Sequence, residues 1–227
     1  MAVFSDFLDI LPTPIHKIGS AGQLDASGTE GPGFATVGLS SEEPMLYSRV
    51  NSGRSAADDN SFHKWLIDID YNPLTCEEFH PVYTFLMQKM TKLDPFFVLL
   101  PQYTSQGISD IGVDVEATRG DSTILVTGTG VAPGAMFTEF NEAGHTKMYY
   151  VTRVETNTNY FTPFGAPGSG KERLHFTPPL RKTVPASASL DFTDPLMQVK
   201  LIDGVQEYQL DSDGLFTYSI KLEEVLI

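Results

Sequence analysis

The chain has 227 residues, 41% of them hydrophobic and 19% charged, with a formal net charge of −14. That length suffices for one large or two small cores, and the acidic balance argues against a nucleic-acid or anionic-membrane binder, which needs clustered Lys and Arg. One cysteine, Cys76, excludes an intramolecular disulfide framework and points to assembly in a reducing compartment. No run approaches the roughly 18 apolar residues of a spanning helix. The N-terminal stretch MAVFSDFLDILPTPIHKIG carries acidic residues and no basic leader, so it does not read as a signal peptide.

In chain order, Phe4, Phe7, Leu8, Ile10 and Leu11 fit a short amphipathic turn or strand, interrupted by Pro12 and Pro14. Residues 19–38 are rich in Gly, Ser, Thr and Ala and read as a loop or extended arm, ordered, if at all, by neighbouring subunits. Met45 to Val50 fits a strand and Asn51 to Asn60 a polar loop. Trp65, Ile67, Ile69 and Tyr71 then alternate with Leu66, Asp68, Asp70 and Asn72, the period of a half-buried strand. Thr75-Cys-Glu-Glu78 fits a capping box, with Thr75 accepting from the third helical N–H and Glu78 reaching back. Phe79, Val82, Tyr83, Leu86 and Met90 follow as one apolar helical stripe. Pro81 lies too deep for a clean helix from Thr75, so a separate first turn or a start near His80 is expected. Asp94-Pro95 ends the helix, and Phe96 to Leu100 reads as a buried strand.

Beyond Tyr103 the pattern changes to short strands between turn signals: Val113–Ala117, Thr123–Thr127, Met136–Phe140, Met148–Glu155 and Leu174–Thr177. Met197–Ile202 and Val205–Leu210 flank Asp203-Gly204, a strong hairpin signal, and Leu215–Leu222 follows a second turn. The expected fold is mainly β with one principal helix. It comprises the first part of a larger domain, with an extended N-terminal arm, over residues 1–105, an inserted small antiparallel β-barrel over 106–182, and strands over 183–227 that complete one sheet with the first part. The β-sandwich form of that larger domain is what the family resemblance given below implies.

Several motifs suggest chemistry and fail on context. Gly165 to Lys171 nearly matches a phosphate-binding loop, but Glu172 stands where a hydroxyl is required and no helix follows. Asp211-Ser-Asp213-Gly214 resembles a fragment of a calcium loop without its later ligands. His16, His63, His80, His145 and His175 show no paired spacing. Asp58-Asp59, Glu77-Glu78 and Glu223-Glu224 are sequence neighbours whose side chains diverge, so they make poor acid/base pairs. Tyr149-Tyr150 and Phe161/Phe164 fit stacking on a sugar and fit strand and core packing equally. The sequence therefore yields no catalytic, cofactor-binding or metal residue, and an architectural protein is expected in place of an enzyme.

Two patches carry a family resemblance. WLIDIDYNPLTCEEFHPVYTFLMQKM, from Trp65 to Met90, and AGHTKMYYVT, from Ala143 to Thr152, resemble in content and order segments of tail proteins from long-tailed bacteriophages. The resemblance implies a distal tail protein or baseplate hub ring protein. Such a protein is a virion component assembled in the host cytoplasm, with a sandwich-type belt domain and often an inserted oligonucleotide/oligosaccharide-binding or galectin-like barrel. It forms a hexameric ring joining the tail tube protein to the baseplate hub protein and tail fibre, without a membrane anchor. Its acidic lumen would let DNA pass without specific binding. The long Gly/Ser-rich region over residues 12–61 departs from the simplest members. The alternative reading is a carbohydrate-binding or receptor-binding β module of a virion.

Overall fold

The computed structural model describes residues 10–13, 17–18, 24–25, 32–43, 45–49, 55–59, 63–92, 94–103, 106–139, 147–203 and 206–225. Gly204 of the expected Asp203-Gly204 hairpin, His16, His145 and most of the second resemblance patch lie outside them. The fold is mainly β with one long helix. Two compact units are formed, one from the described residues of Met1–Phe96 and Val199–Leu226, the other from those of Phe97–Gln198. Among the described residues no helix is long and apolar enough to cross a membrane.

The first unit begins with a two-stranded ladder of β1 (Lys17–Ile18) and β2 (Leu24–Asp25), then β3 (Phe34–Glu42), the paired β4 (Met45–Arg49) and β5 (Ser55–Asp59), and β6 (Lys64–Tyr71). Helix α1 (Cys76–Lys92) and β7 (Phe96–Leu99) follow. Two readings are corrected here. Residues 34–38, expected in a loop or arm, open a nine-residue strand. Its partly buried Val37 and Leu39 pair with Ile69 and Ile67, while Thr36, Gly38 and Ser40 face out. An edge strand buries only one face, so small polar residues on the other imitate linker composition. The polar stretch after Asn51 likewise contains β5, which pairs with β4 along its full length. Residues 10–13 are buried by their own chain: Leu11 is fully enclosed, and the Tyr71 hydroxyl donates to the Pro12 carbonyl at 3.1 Å.

Helix α1 runs unbroken through Pro81, contrary to the expected break. The missing N–H would have reached the carbonyl of Glu77, which lies on an exposed turn where water substitutes. The cap is half a capping box. Glu78 reaches back to accept from the Thr75 N–H at 2.9 Å, but the Thr75 hydroxyl donates to the same carboxylate at 2.8 Å and leaves the helical N–H groups alone. Phe79, Val82 and Leu86 are buried as the stripe predicted, Tyr83 is half-buried, and Phe85 joins them against Phe96 at 5.4 Å.

The second unit contains β8 (Ile111–Gly112), β9 (Thr123–Val126), β10 (Met136–Phe137), β11 (Tyr149–Glu155), β12 (Glu172–Thr177) and β13 (Ser189–Leu190). Its four-stranded sheet has the order β10-β11-β12-β9, and β13 pairs with β8. Single bridges, Val113 with Val126 and Thr138 with Asp191, continue that order into a barrel-like curl. Val113–Ala117 and Met136–Phe140, expected as full strands, reduce to these short pairings, and Phe140 lies outside the described residues. Phe137, Tyr149, Phe176 and Phe192 fill the interior, with ring centroids 5.3–5.5 Å apart. Fully burying a side chain of this kind stabilises by about 1.5–3 kcal/mol.

The chain returns through β14 (Leu196–Leu201), β15 (Tyr208–Leu210) and β16 (Phe216–Glu224). The hydrogen-bonded order is β3-β6-β16-β14-β7, with β15 on β16. Two apolar rows cross the sheet: Val37, Ile69 and Ile220, then Leu39, Ile67 and Leu222. Ring contacts join α1 to the sheet, since Phe79 stacks on Phe216 at 4.3 Å and meets Tyr218 edge-on at 5.9 Å.

Candidate functional site

Two surfaces stand out, one on each unit. On the first, the outward face of the sheet is ionic. Lys64 Nζ lies 2.9 Å from Glu223 and 3.2 Å from Glu42, and Lys200 Nζ lies 3.0 Å from Glu223. The hydrogen bond from Lys64 holds the Glu223 carboxyl below its usual range, with help from Lys200 and against partial burial. Exposed ion pairs of this kind contribute little to stability but keep the face charged. Asp70 is also held low, by hydrogen bonds from Ser219 and Thr36. The apolar cluster around α1 reaches the surface at β15, where Tyr208 touches Phe79 at 4.9 Å and is 48% exposed; Leu210 is 58% exposed. Among the described residues the sheet's path ends in β3 on one side and β7 on the other, and β15 lies off that path with β16 as its partner. The sheet therefore has β3 and β7 as its end strands and β15 as a further open edge.

On the second unit, adjacent strands build a buried ionic cluster. Alternation puts Arg153 and Glu155 of β11 opposite His175 and Arg173 of β12 on one outer face. The Glu155 side chain is fully buried, and its oxygens lie 3.0 Å from Arg153, 2.9 Å from Arg173 and 3.0 Å from His175. Burial alone would raise the Glu155 pKa. The hydrogen bonds from Arg173 and His175, with the nearby charges, outweigh it and hold the carboxyl below its usual range. Arg173 also donates to the Phe164 carbonyl at 3.1 Å and the Gly165 carbonyl at 3.1 Å, and packs against the Phe164 ring at 5.5 Å. The short helical turn Thr162–Phe164 is thereby clasped to the sheet. Gly165 ends it at φ 70°, a conformation open to glycine and strained for other residues. The turn holds Tyr160, Phe161 and Phe164 at the surface, 39%, 48% and 57% exposed.

The motifs examined in sequence fall elsewhere. Lys171 of the phosphate-loop likeness pairs with Asp114 at 2.7 Å. Glu172 starts a strand and accepts from the Gly130 and Val131 N–H groups at 3.0 and 3.2 Å. Asp211 closes its own turn by accepting from the Asp213 and Leu215 N–H groups. His63 lies 2.9 Å from the Ser41 hydroxyl and 4.6 Å from the Trp65 ring. His80 stands exposed on α1. Among the described residues no three His, Cys, Asp or Glu side chains gather as metal ligands. Of the surface aromatics considered, Tyr149 is core and Phe161 and Phe164 are exposed. Sequence reasoning missed the Glu155 cluster. Its signal was R-x-E in one strand and R-x-H in the next, readable only once their register is known.

Residues 25–103 match the family model described as distal tail protein pb9, A domain, N-terminal. Over 202 residues the chain is 25% identical to distal tail protein pb9 of Escherichia phage T5, covering 86% of this chain and 94% of that protein. The family model reaches from β2 through α1 to the turn Pro101–Tyr103, the span that holds the first resemblance patch. The likeness read from two short patches thus extends, at 25% identity, over most of the chain to a phage distal tail protein.

Proposed function

We propose that this chain is a structural component of a phage tail that works as a ring-forming adaptor between the tail tube and the hub and fibres. The observation that carries the reading is the sheet of order β3-β6-β16-β14-β7, whose path ends in β3 on one side and β7 on the other, with β15 open at a further edge beside β16, among the described residues. Two different edges on one sheet suit heterologous, head-to-tail contacts that close by rotation into a ring. The exposed Tyr208 and Leu210 supply apolar surface at one of those edges. The similarity to a distal tail protein over 86% of the chain supports the tail location. The residue boundaries 1–105, 106–182 and 183–227, as belt, inserted barrel and belt completion, belong to the same proposal. The net charge of −14 would keep a DNA-facing lumen from holding the nucleic acid.

The test is light scattering of the purified full chain, alone and with the tail tube protein, followed by negative-stain class averages. A six-subunit ring under either condition is the expected result. A monomer under both removes the adaptor reading. Leu210→Lys, which charges the β15 edge, is expected to abolish the ring while leaving the far-UV spectrum intact.

A further inference from the structure

Near both ends of the second unit's chain segment, carboxylates collect beside one buried hydroxyl. Thr138 and Asp191 form an antiparallel bridge and exchange both backbone hydrogen bonds. The Asp191 N–H donates to the Thr138 carbonyl at 2.8 Å, and the Thr138 N–H to the Asp191 carbonyl at 3.2 Å. Residues opposed in this way send their side chains to the same face, with Cβ atoms about 5 Å apart. Their chain neighbours Phe137 and Phe192 fill the interior, so Thr138 and Asp191 share the outer face. Thr138 is still 0% exposed there, and its hydroxyl has no hydrogen-bond partner. Asp191 Oδ1 accepts from the Thr193 and Asp194 N–H groups at 3.0 and 3.1 Å. Asp110, just before β8, accepts through Oδ1 from the Phe192 N–H at 3.2 Å and the Thr193 hydroxyl at 3.1 Å. The two carboxylates thus meet at residue 193. Burial, and then the charges of Asp110 and Asp194, push the Asp191 carboxyl above its usual range against its backbone hydrogen bonds. Among the described residues no cationic side chain pairs with any of the three.

A buried hydroxyl without a partner, beside carboxylates without a counter-charge, calls for one occupant that satisfies both. Water would serve the hydroxyl and leave the carboxylates repelling one another. It also needs about 2.8 Å to each oxygen, and solvent does not reach the Thr138 hydroxyl. A bare hard cation sits closer, at about 2.3–2.6 Å for calcium, and cancels the repulsion. We propose that Asp110 and Asp191, with the Thr138 hydroxyl, bind a hard divalent cation of the calcium type. Calcium takes about 6–8 oxygens, so backbone carbonyls and water complete the shell, and the affinity falls in the weak range, about 10⁻⁴–10⁻³ M. The set uses two carboxylates, in keeping with the absence of any triplet of acidic, His or Cys ligands among the described residues. Asp194, exposed on the same turn, adds attraction without ligating. Bound there, the ion ties Asp110, at the start of β8, to the turn Asp191–Asp194 that leads into β14. It staples the two ends of the unit's chain together.

The test is thermal unfolding of the chelator-treated full chain, followed by far-UV circular dichroism in calcium chloride at about 10 mM, well above the expected dissociation constant, and in sodium chloride of equal ionic strength. Calcium is expected to raise the unfolding midpoint over sodium by about 3–10 °C. Asp191→Asn keeps the Oδ1 acceptor for the Thr193 and Asp194 N–H groups and removes the charge. It should abolish the calcium increment without lowering the midpoint in chelator, because it also relieves the repulsion, and this separates lost binding from lost folding. Thr138→Val keeps the side chain's shape, removes the hydroxyl and should weaken calcium binding by about tenfold, again without lowering the midpoint in chelator. Equal midpoints in calcium and sodium, an increment retained by Asp191→Asn, or one retained in full by Thr138→Val would overturn the proposal.

Discussion

Replacing Phe79 with alanine tests whether the α1 stripe is the core of the first unit. Phe79 is 2% exposed and contacts Tyr83 at 5.2 Å, Tyr208 at 4.9 Å, Phe216 at 4.3 Å and Tyr218 at 5.9 Å. A buried Phe→Ala change costs about 3–5 kcal/mol, depending on how far the neighbours collapse into the cavity. Tyr208 is half-exposed and free to move inward, so the lower end, about 3 kcal/mol, is expected. The only tryptophan of the chain, Trp65, sits buried in β6 of the same unit and reports its unfolding by fluorescence. With a urea slope of about 2 kcal/mol/M, the Trp65 midpoint should fall by about 1.5 M. A fall below about 0.5 M, or roughly 1 kcal/mol, would mean that the stack is surface decoration and that the core lies elsewhere.

Pro81→Ala restores an N–H for the Glu77 carbonyl and should raise the Trp65 midpoint by the equivalent of about 1 kcal/mol, the helical gain being offset by a looser unfolded chain; an unchanged or lower midpoint would refute that account. Glu155→Ala leaves Arg173 and His175 without their buried partner and should cost about 3 kcal/mol, read by far-UV circular dichroism in urea. The same carboxylate sets a pH dependence. Its folded pKa lies below the ordinary value, so its contribution is complete above the ordinary carboxylate range and drains away as pH falls through the lowered one. The stability difference between wild type and Glu155→Gln should therefore shrink from pH 7 to pH 3, and a constant difference would contradict the lowered pKa. Lys64→Met, on a half-exposed pair network, should change stability by less than about 1 kcal/mol, and a larger loss in the Trp65 midpoint would mark those pairs as structural.

Elements that bury one clean periodic face were legible in the sequence. Trp65, Ile67, Ile69 and Tyr71 declared β6, and the Thr75–Glu78 signature marked a helix start that the expectation of a break at Pro81 set aside and the structure restores. Elements whose stability comes from partners were not. Strand β3 offers Phe34, Val37 and Leu39 to the core, each partly buried, and its ladder to β6 is backbone chemistry that side chains do not announce. Helix α1 crosses Pro81 because tertiary contacts of Phe79 and Leu86 on either side outweigh one lost hydrogen bond, a balance that local rules cannot see. The same holds for the candidate site. Phe161 and Phe164 were visible as aromatics, but their exposure depends on Arg173, and Arg173 depends on Glu155, eighteen residues earlier and one strand away.

That dependence separates architecture from chemistry in this chain. Four buried or half-buried polar side chains bind backbone instead of facing an open site. Glu172 holds the Gly130 and Val131 N–H groups, Glu224 the Trp65 N–H at 3.2 Å, and Arg173 the Phe164 and Gly165 carbonyls. Gln106 takes the Met136 N–H and gives to the Met136 and Phe192 carbonyls. A polar group saturated in this way gains order for a loop or strand end and loses the freedom to exchange protons or bind substrate. Reactive sites need the opposite, a buried polar group left partly unsatisfied towards a cavity. These side chains thus fix backbone in place, the loop that displays Phe161 and Phe164 among it.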